Sequence, residues 1–305
     1  MTELYLITGF LGAGKTTFLK NFIRLFGGRR LHLIINEFGK EGVDGALLRE
    51  VGAAMDEINN GSIFCTCRLD RFEEVLQNAL TRQPEIIIVE ASGLSNPLNV
   101  HKILGRPEMF CDLEYKGCIC IIDARQFPKV YETASVVKKQ ISVSDLLLIN
   151  KTDTVTPEQL AGVRQILLQH RRDIPIYETV FGKMDPQWLE AMSRPTEISG
   201  DIFQTEDITL RKYTLYVKKD VSLDQLQKFL EMFLENTYRV KGFVRTGGKS
   251  WLIDCVGSIY KQTSVEAISG AGNYLVVLSG SGLPAKREIK KAMEWYPGIV
   301  DKFEM

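Results

Sequence analysis

Nine residues near the start of the chain, GFLGAGKTT at Gly9–Thr17, constrain it more than any other feature. They match GxxxxGK[ST] directly after the apolar run Leu4–Thr8 and directly before a helical stretch that begins at Lys15. Glycines let the backbone close tightly around an anion, so that successive N–H groups point inward at phosphates. The N-terminus of the following helix adds its positive dipole. The pattern assigns phosphate contacts to Gly12, Ala13, Gly14, Lys15, Thr16 and Thr17. Lys15 is expected on the β- and γ-phosphates and the Thr16 hydroxyl on Mg²⁺.

A loop of this kind needs a strand before it and a helix after it, and the chain repeats that alternation. Strands are predicted at Leu4–Thr8, Leu31–Asn36, Glu85–Glu90, Gly117–Asp123, Asp145–Asn150 and Ile174–Val180. Helices are predicted at Lys15–Phe26, Asp70–Thr81, Phe127–Val137 and Pro157–Gln169. The strand runs are continuously rather than alternately apolar, as in a parallel sheet covered by helices on both faces. The fold class is therefore α/β, a P-loop NTPase domain with a mostly parallel sheet, and its ligands belong at the carboxyl ends of the strands. The polar segment Ser193–Leu210 interrupts the alternation. We place the first domain at 1–195, a linker at 196–209 and a smaller α+β domain with a mostly antiparallel sheet at 210–305. In that domain strands are expected at Arg211–Lys218, Tyr238–Thr246, Lys249–Tyr260 and Tyr274–Ser279, with helices at Ser222–Glu235 and Pro284–Trp295.

Asn150-Lys151-Thr152-Asp153 follows the strand run Leu146–Ile149. The Asp153 carboxylate can accept hydrogen bonds from N1–H and the exocyclic amine of guanine, a donor pair that adenine lacks, so the tetrad favours GTP over ATP. Asn150 is expected to brace the phosphate loop, and the Lys151 stem to lie along the ring face. The strand ending at Glu90 is followed by Gly93. The acid can hold Mg²⁺ directly or through water, and the Gly93 N–H can sense a γ-phosphate. Asn36-Glu37-Phe38-Gly39, with Asp44 beyond it, carries acids that could orient an attacking water or bind a metal. On the residues alone it reads equally well as a polar loop.

Lys plus Arg equals Asp plus Glu at 38 each, without the basic excess expected of a nucleic-acid binder. The opening MTELYLITGF has no signal-peptide pattern, and no run reaches the roughly 18–20 apolar residues that span a bilayer. A cytoplasmic protein with no nucleic-acid and no membrane partner is expected. Its six cysteines then read as thiols or metal ligands rather than disulfides.

Taken together, GFLGAGKTT, INEFG at Ile35–Gly39 with Asp44, EASGLSNP at Glu90–Pro97, IIDA at Ile121–Ala124, DLLLINKTD at Asp145–Asp153 and RVKGFV at Arg239–Val244 resemble the CobW-like GTPase family. That family is related to the nickel-inserting GTPases of urease and hydrogenase maturation. The resemblance implies a GTP-hydrolysing metallochaperone or cofactor-maturation factor, with Lys15, Glu37 and Glu90 in the catalytic set. Its partner would be a client metalloenzyme or a corrinoid protein. The family's GCxCC metal motif aligns with Gly61–Cys65, where Ser62 and Phe64 replace the first two cysteines and Cys65 remains. Cys67 follows two residues later. With Thr16 and Glu90 assigned to Mg²⁺, Cys65 and Cys67 supply half of a tetrahedral Zn²⁺ or Co²⁺ site, completed by Glu37, Asp44 or the second subunit of a homodimer. Two other readings stay open: a GTPase that gates corrinoid insertion without a thiolate site, and a small-molecule kinase on a P-loop scaffold.

Cys118 and Cys120 begin an apolar strand and are expected in the core, one to each face, with Cys111 and Cys255 likewise packed inside. His32, His101 and His170 are scattered and read as structural. Arg239, Lys241 and Lys249 read as a solvated or client-facing surface.

Overall fold

The computed structural model describes residues 1–35, 53–57, 69–94, 97, 110–192, 210–219, 221–265 and 273–305. The chain divides into two compact units, one of Met1–Tyr131 and Ser135–Glu206, the other of Glu132–Ala134 and Asp207–Met305.

The first unit is built on a seven-stranded sheet. Its strands are β1 (Thr2–Thr8), β2 (Leu31–Ile35), β3 (Ala54–Glu57), β4 (Ile86–Glu90), β5 (Leu113–Asp123), β6 (Leu146–Asn150) and β7 (Ile176–Glu178), in the order β3-β2-β4-β1-β5-β6-β7. Each pairing is parallel. The helices are α1 (Lys15–Phe22), α2 (Leu69–Thr81), α3 (Phe127–Thr133), α4 (Ser135–Ser142) and α5 (Pro157–His170). β2, β4 and β6 are buried along their whole length because both faces of the sheet are covered. On one face Tyr5, Ile7, Leu33, Ile88, Ile119 and Ile121 pack against Phe18, Leu19 and Phe22 of α1. On the other, Leu4, Leu6, Ile34, Ile87 and Val89 pack against Phe72 and Leu76 of α2.

The second unit carries a wholly antiparallel six-stranded sheet, ordered β11-β10-β9-β12-β8-β13. Its strands are β8 (Leu210–Val217), β9 (Arg239–Thr246), β10 (Lys249–Val256), β11 (Gln262–Val265), β12 (Tyr274–Gly280) and β13 (Val300–Glu304). Helices α6 (Leu223–Glu231) and α7 (Ala285–Trp295) cover one face. Phe229, Leu230, Ile289 and Ala292 meet Leu215, Val240, Ile253 and Leu275 there.

Several elements differ from the sequence expectation. The predicted helix Phe127–Val137 is two helices that break at Ala134. The predicted helix Lys15–Phe26 turns 3₁₀ from Ile23 on, where Gly27 stops it. β5 begins at Leu113, four residues earlier than its apolar run suggests, because its first turn of pairing is only half-buried and polar residues suffice there. The predicted strand Lys249–Tyr260 ends at Val256, and Val256 bridges back to Ile259 around Gly257 at φ 56° before β11 begins. β3, β11 and β13 were not anticipated.

Candidate functional site

The loop between β1 and α1 is shaped by three glycines. Gly9, Gly12 and Gly14 have φ of 137°, 75° and 99°, where a β-carbon is strained. A β-carbon on Gly14 would also stand 2.4 Å from Nδ2 of Asn150, and one on Gly9 2.2 Å from the Ile121 carbonyl oxygen. Gly14 is the N-cap of α1, and among the described residues no side chain caps that helix end. Phe18, Leu19 and Phe22 anchor the helix to the sheet, which fixes where its N-terminus points. Lys15 is almost fully buried, and its ammonium donates to the carbonyl oxygens of Gly9 (3.0 Å) and Phe10 (3.1 Å). Thr16 is half-buried and Thr17 exposed on the same first turn.

The carboxyl end of β6 reaches this loop directly. Asn150, only 2% exposed, donates from Nδ2 to the Ala13 carbonyl oxygen at 2.9 Å. Lys151 donates from Nζ to the Gly12 carbonyl oxygen and to Oδ2 of Asp123, each at 2.6 Å. Asp153 stands exposed in the 3₁₀ turn Thr152–Thr154. Thus the predicted base-reading tetrad and the predicted phosphate loop, some 137 residues apart, share hydrogen bonds. Glu90, 6% exposed, ends β4 level with Ile7 of β1 and Ile35 of β2. Gly93 lies so close to the phosphate loop that a β-carbon there would stand 2.7 Å from the Leu11 backbone nitrogen. Lys15, Glu90, Gly93, Asn150 and Lys151 therefore gather at the carboxyl end of the sheet.

Sequence reasoning gave no site role to two contributors, although one of them, Asp123, lies in the IIDA stretch it singled out. Asp123 ends β5 in register with Asn150. Its Oδ1 accepts from the N–H groups of Arg125 and Gln126, and its Oδ2 holds Lys151. The signal was available: an acid closes the strand beside the tetrad, at the level where ligands of a parallel sheet sit. Gln140 is the other; buried in α4, it donates from Nε2 to the Gly93 carbonyl oxygen at 3.2 Å. Nothing local marks it.

Cys118, Cys120 and Cys255 are buried, as expected. Desolvation pushes the Cys118 thiol well above its ordinary value, and Cys120 and Cys255 up to about 12. Two expectations fail here. Cys118 and Cys120 share one face of β5, since residues two apart on a strand point the same way, and the Cys118 thiol meets the Ser144 hydroxyl at 3.6 Å. Cys111 is exposed, because it sits in the turn before β5, where Phe110 takes the buried position. Arg239 is not simply solvated either. It pairs with Asp254 across β9 and β10 through two contacts of 2.9 Å. His32 bonds Asp56 at 2.9 Å, and His170 bonds the Tyr131 hydroxyl at 3.0 Å. Glu37, Asp44, Cys65, Cys67 and His101 lie outside the described residues. Among the described residues, no group of three or more His, Cys, Asp or Glu side chains could hold a metal ion. Among them too, no helix is long and apolar enough to cross a membrane.

A glycine loop with a buried lysine, set between the first strand and first helix of a parallel sheet and braced from a neighbouring strand end, defines a P-loop NTPase core. The chain belongs to the CobW/HypB/UreG family. Residues 3–178 match its nucleotide-binding domain, and residues 210–294 match the cobalamin synthesis protein cobW C-terminal domain. Over 198 residues it is 31% identical to the zinc chaperone YeiR of Escherichia coli, covering 64% of this chain and 60% of that one. It is 32% identical over 188 residues to the zinc chaperone CobW of a Sinorhizobium species, covering 52% and 53% of the two chains. It is 30% identical over 190 residues to the zinc-regulated GTPase metalloprotein activator 1 of Schizosaccharomyces pombe, covering 59% and 46%. The chain thus spans about half to three-fifths of the length of these relatives.

Proposed function

We propose that this chain binds and hydrolyses GTP, and that the cycle serves the delivery of a transition metal, zinc foremost, to a client metalloenzyme. The observation that carries the first half is the pair of hydrogen bonds from Asn150 and Lys151 to the carbonyls of Ala13 and Gly12. They hold the NKTD tetrad against the phosphate loop, which supports a single nucleotide site built from both. The second half leans on the printed names of the relatives, which are zinc chaperones and a zinc-regulated activator.

In this reading the backbone N–H groups of Gly12–Thr17 and the head of α1 grip the phosphates. The Lys15 ammonium exchanges its two carbonyl partners for phosphate oxygens, while Asp153 accepts from the guanine edge. The Thr16 hydroxyl and the Glu90 carboxylate are hard oxygen donors that suit Mg²⁺, which would neutralise charge on the β- and γ-phosphates. Gly93 lies against Leu11, and its carbonyl accepts from Gln140 of α4, contacts through which a change at the phosphate loop would reach α4. Cys65 and Cys67, with Glu37 or Asp44 or a second subunit, hold the transferred metal as cargo. Asp123 orients Lys151 for the base.

Phosphate release is the test. Lys15→Ala should abolish GTP hydrolysis, and undiminished turnover in that variant overturns the assignment. Metal delivery is tested separately by Zn²⁺ titration of Cys65→Ser/Cys67→Ser protein, where unchanged affinity overturns the thiolate site.

A further inference from the structure

Among the described residues, three that are not glycine have positive φ: Gln83 at 49°, Lys151 at 61° and Phe181 at 56°. Two of the three stand just beyond the ends of the adjacent strands β6 and β7. For an aromatic residue the left-handed region is uncommon, and an outlier of this kind points towards a functional constraint when surrounding bonds enforce it. They do so here. Nδ2 of Asn21, on α1, donates to the carbonyl oxygens of Phe181 (2.9 Å) and Gly182 (3.3 Å). The Gly182 N–H donates to Oδ1 of Asn150 at 3.0 Å. Gly182 backs onto α1 so closely that a β-carbon would stand 2.7 Å from the Phe18 α-carbon.

Asn150 therefore uses both ends of its amide: Nδ2 ties the phosphate loop at Ala13, and Oδ1 ties the turn that carries Phe181. The neighbouring residue of the tetrad is tied as well, since the backbone N–H and hydroxyl of Thr152 both donate to the Thr179 carbonyl oxygen (3.4 and 3.2 Å). The Phe181 turn is thus fixed against Thr152, the residue before Asp153, and against the phosphate loop. Yet the residue is 67% exposed. Internal packing does not account for an aromatic side chain held in a strained backbone at that place.

We propose that the Phe181 ring is an aromatic wall of the base site and packs against the bound purine. This deepens the guanine-nucleotide reading above and rests on it. The division of labour is specific. Asp153 reads the donors on the guanine edge, whereas Phe181 meets the flat ring, which every purine has, so it supplies affinity without choosing the base.

The test is calorimetric binding of GDP and of IDP, which lacks the exocyclic amine, to the full chain and to Phe181→Gly, Phe181→Tyr and Asp153→Ala. Glycine adopts the left-handed backbone without strain, so Phe181→Gly should keep or raise the melting temperature. It should nonetheless bind GDP and IDP about tenfold more weakly, by nearly the same factor for both. Phe181→Tyr should bind as the parent does. Phe181→Gly protein that holds GDP within roughly twofold of the parent, while Asp153→Ala loses it, overturns this inference and leaves the nucleotide reading standing. A melting temperature that falls together with affinity in Phe181→Gly also overturns it, because the residue then acts through the fold. A parent chain that binds neither nucleotide overturns both.

Discussion

In the first unit Lys15, Glu90, Asp123 and Asn150 are each at most 9% exposed, and all four lie at or just beyond the carboxyl ends of strands. In the second unit the buried polar side chains are the hydroxyls of Thr237, Ser250 and Ser279, and among the described residues it buries no charged group. Buried charge costs free energy unless it is paired, and the first unit pairs its lysines with backbone carbonyls and with Asp123. The contrast separates two uses of a sheet. One gathers most of its buried charge at the carboxyl ends of its strands, where a charged ligand can enter; Asp145, just before β6, is the exception and accepts from the Cys118 N–H. The other spends its interior on packing and leaves its ion pairs, such as Arg239 with Asp254, part-exposed on the strands.

That contrast can be broken from the packing side first. Phe229 is fully buried at the centre of the second unit's core, and Phe229→Ala should lower stability by about 3–5 kcal/mol. Urea unfolding measures that loss, while GDP affinity of the folded fraction should stay unchanged. A large loss of affinity would show that the second unit takes part in the nucleotide site.

From the site side, Gly14→Ala places a β-carbon against Asn150 at a φ of 99°. The strain should cost about 1–3 kcal/mol. Unlike Phe229→Ala, this variant should lose nucleotide binding in calorimetry. Retained binding would mean that the loop relaxes without its brace.

Asp123→Asn is a finer cut. It keeps an oxygen for the N–H groups of Arg125 and Gln126 but removes the charge that holds Lys151. A hydrogen bond to a charged group contributes about 1.5–3 kcal/mol, and a part-exposed lysine lies at the lower end, so GDP should bind about tenfold more weakly. Parent-like affinity would remove Asp123 from the site.

The smallest effect is on pH dependence. Burial holds the His32 imidazole below its ordinary value, against the pull of Asp56. The unfolded chain then takes up a proton near pH 6.5 that the folded chain resists, so stability is full above that pH and falls as the pH drops below it. His170 shifts in the same direction, also through burial. The urea midpoint should therefore fall between pH 7.5 and about 5.5, and His32→Gln should flatten part of that slope. A parent-like slope in His32→Gln would show that the imidazole titrates as it does in the unfolded chain.

Much of the first sheet was legible because strands buried on both faces leave uninterrupted apolar runs, as at Ile86–Val89 and Leu146–Ile149. β3 was not, since Ala54–Glu57 is short, half-polar and among the described residues pairs only with β2. β13, VDKFE, is an edge strand whose exposed residues erase its pattern. At the site, Lys15, Asn150 and Lys151 declared themselves through motifs whose spacing reflects local chemistry. Asp123, Gln140 and Asn21 did not, because each is an ordinary residue whose role comes from a partner 28, 47 or 160 positions away. The thiols two residues apart misled for a simpler reason: strand periodicity puts Cys118 and Cys120 on one face, where Ser144 meets Cys118.

The central claim is that phosphate loop and NKTD tetrad form one guanine-selective site. Side-by-side calorimetric titration of the full chain with GTP and ATP, repeated on Asp153→Asn, tests it most directly. The account predicts that GTP binds and ATP does not compete, and that Asp153→Asn loses most of that discrimination while the phosphate contacts persist. Equal or tighter binding of ATP by the parent chain would contradict it.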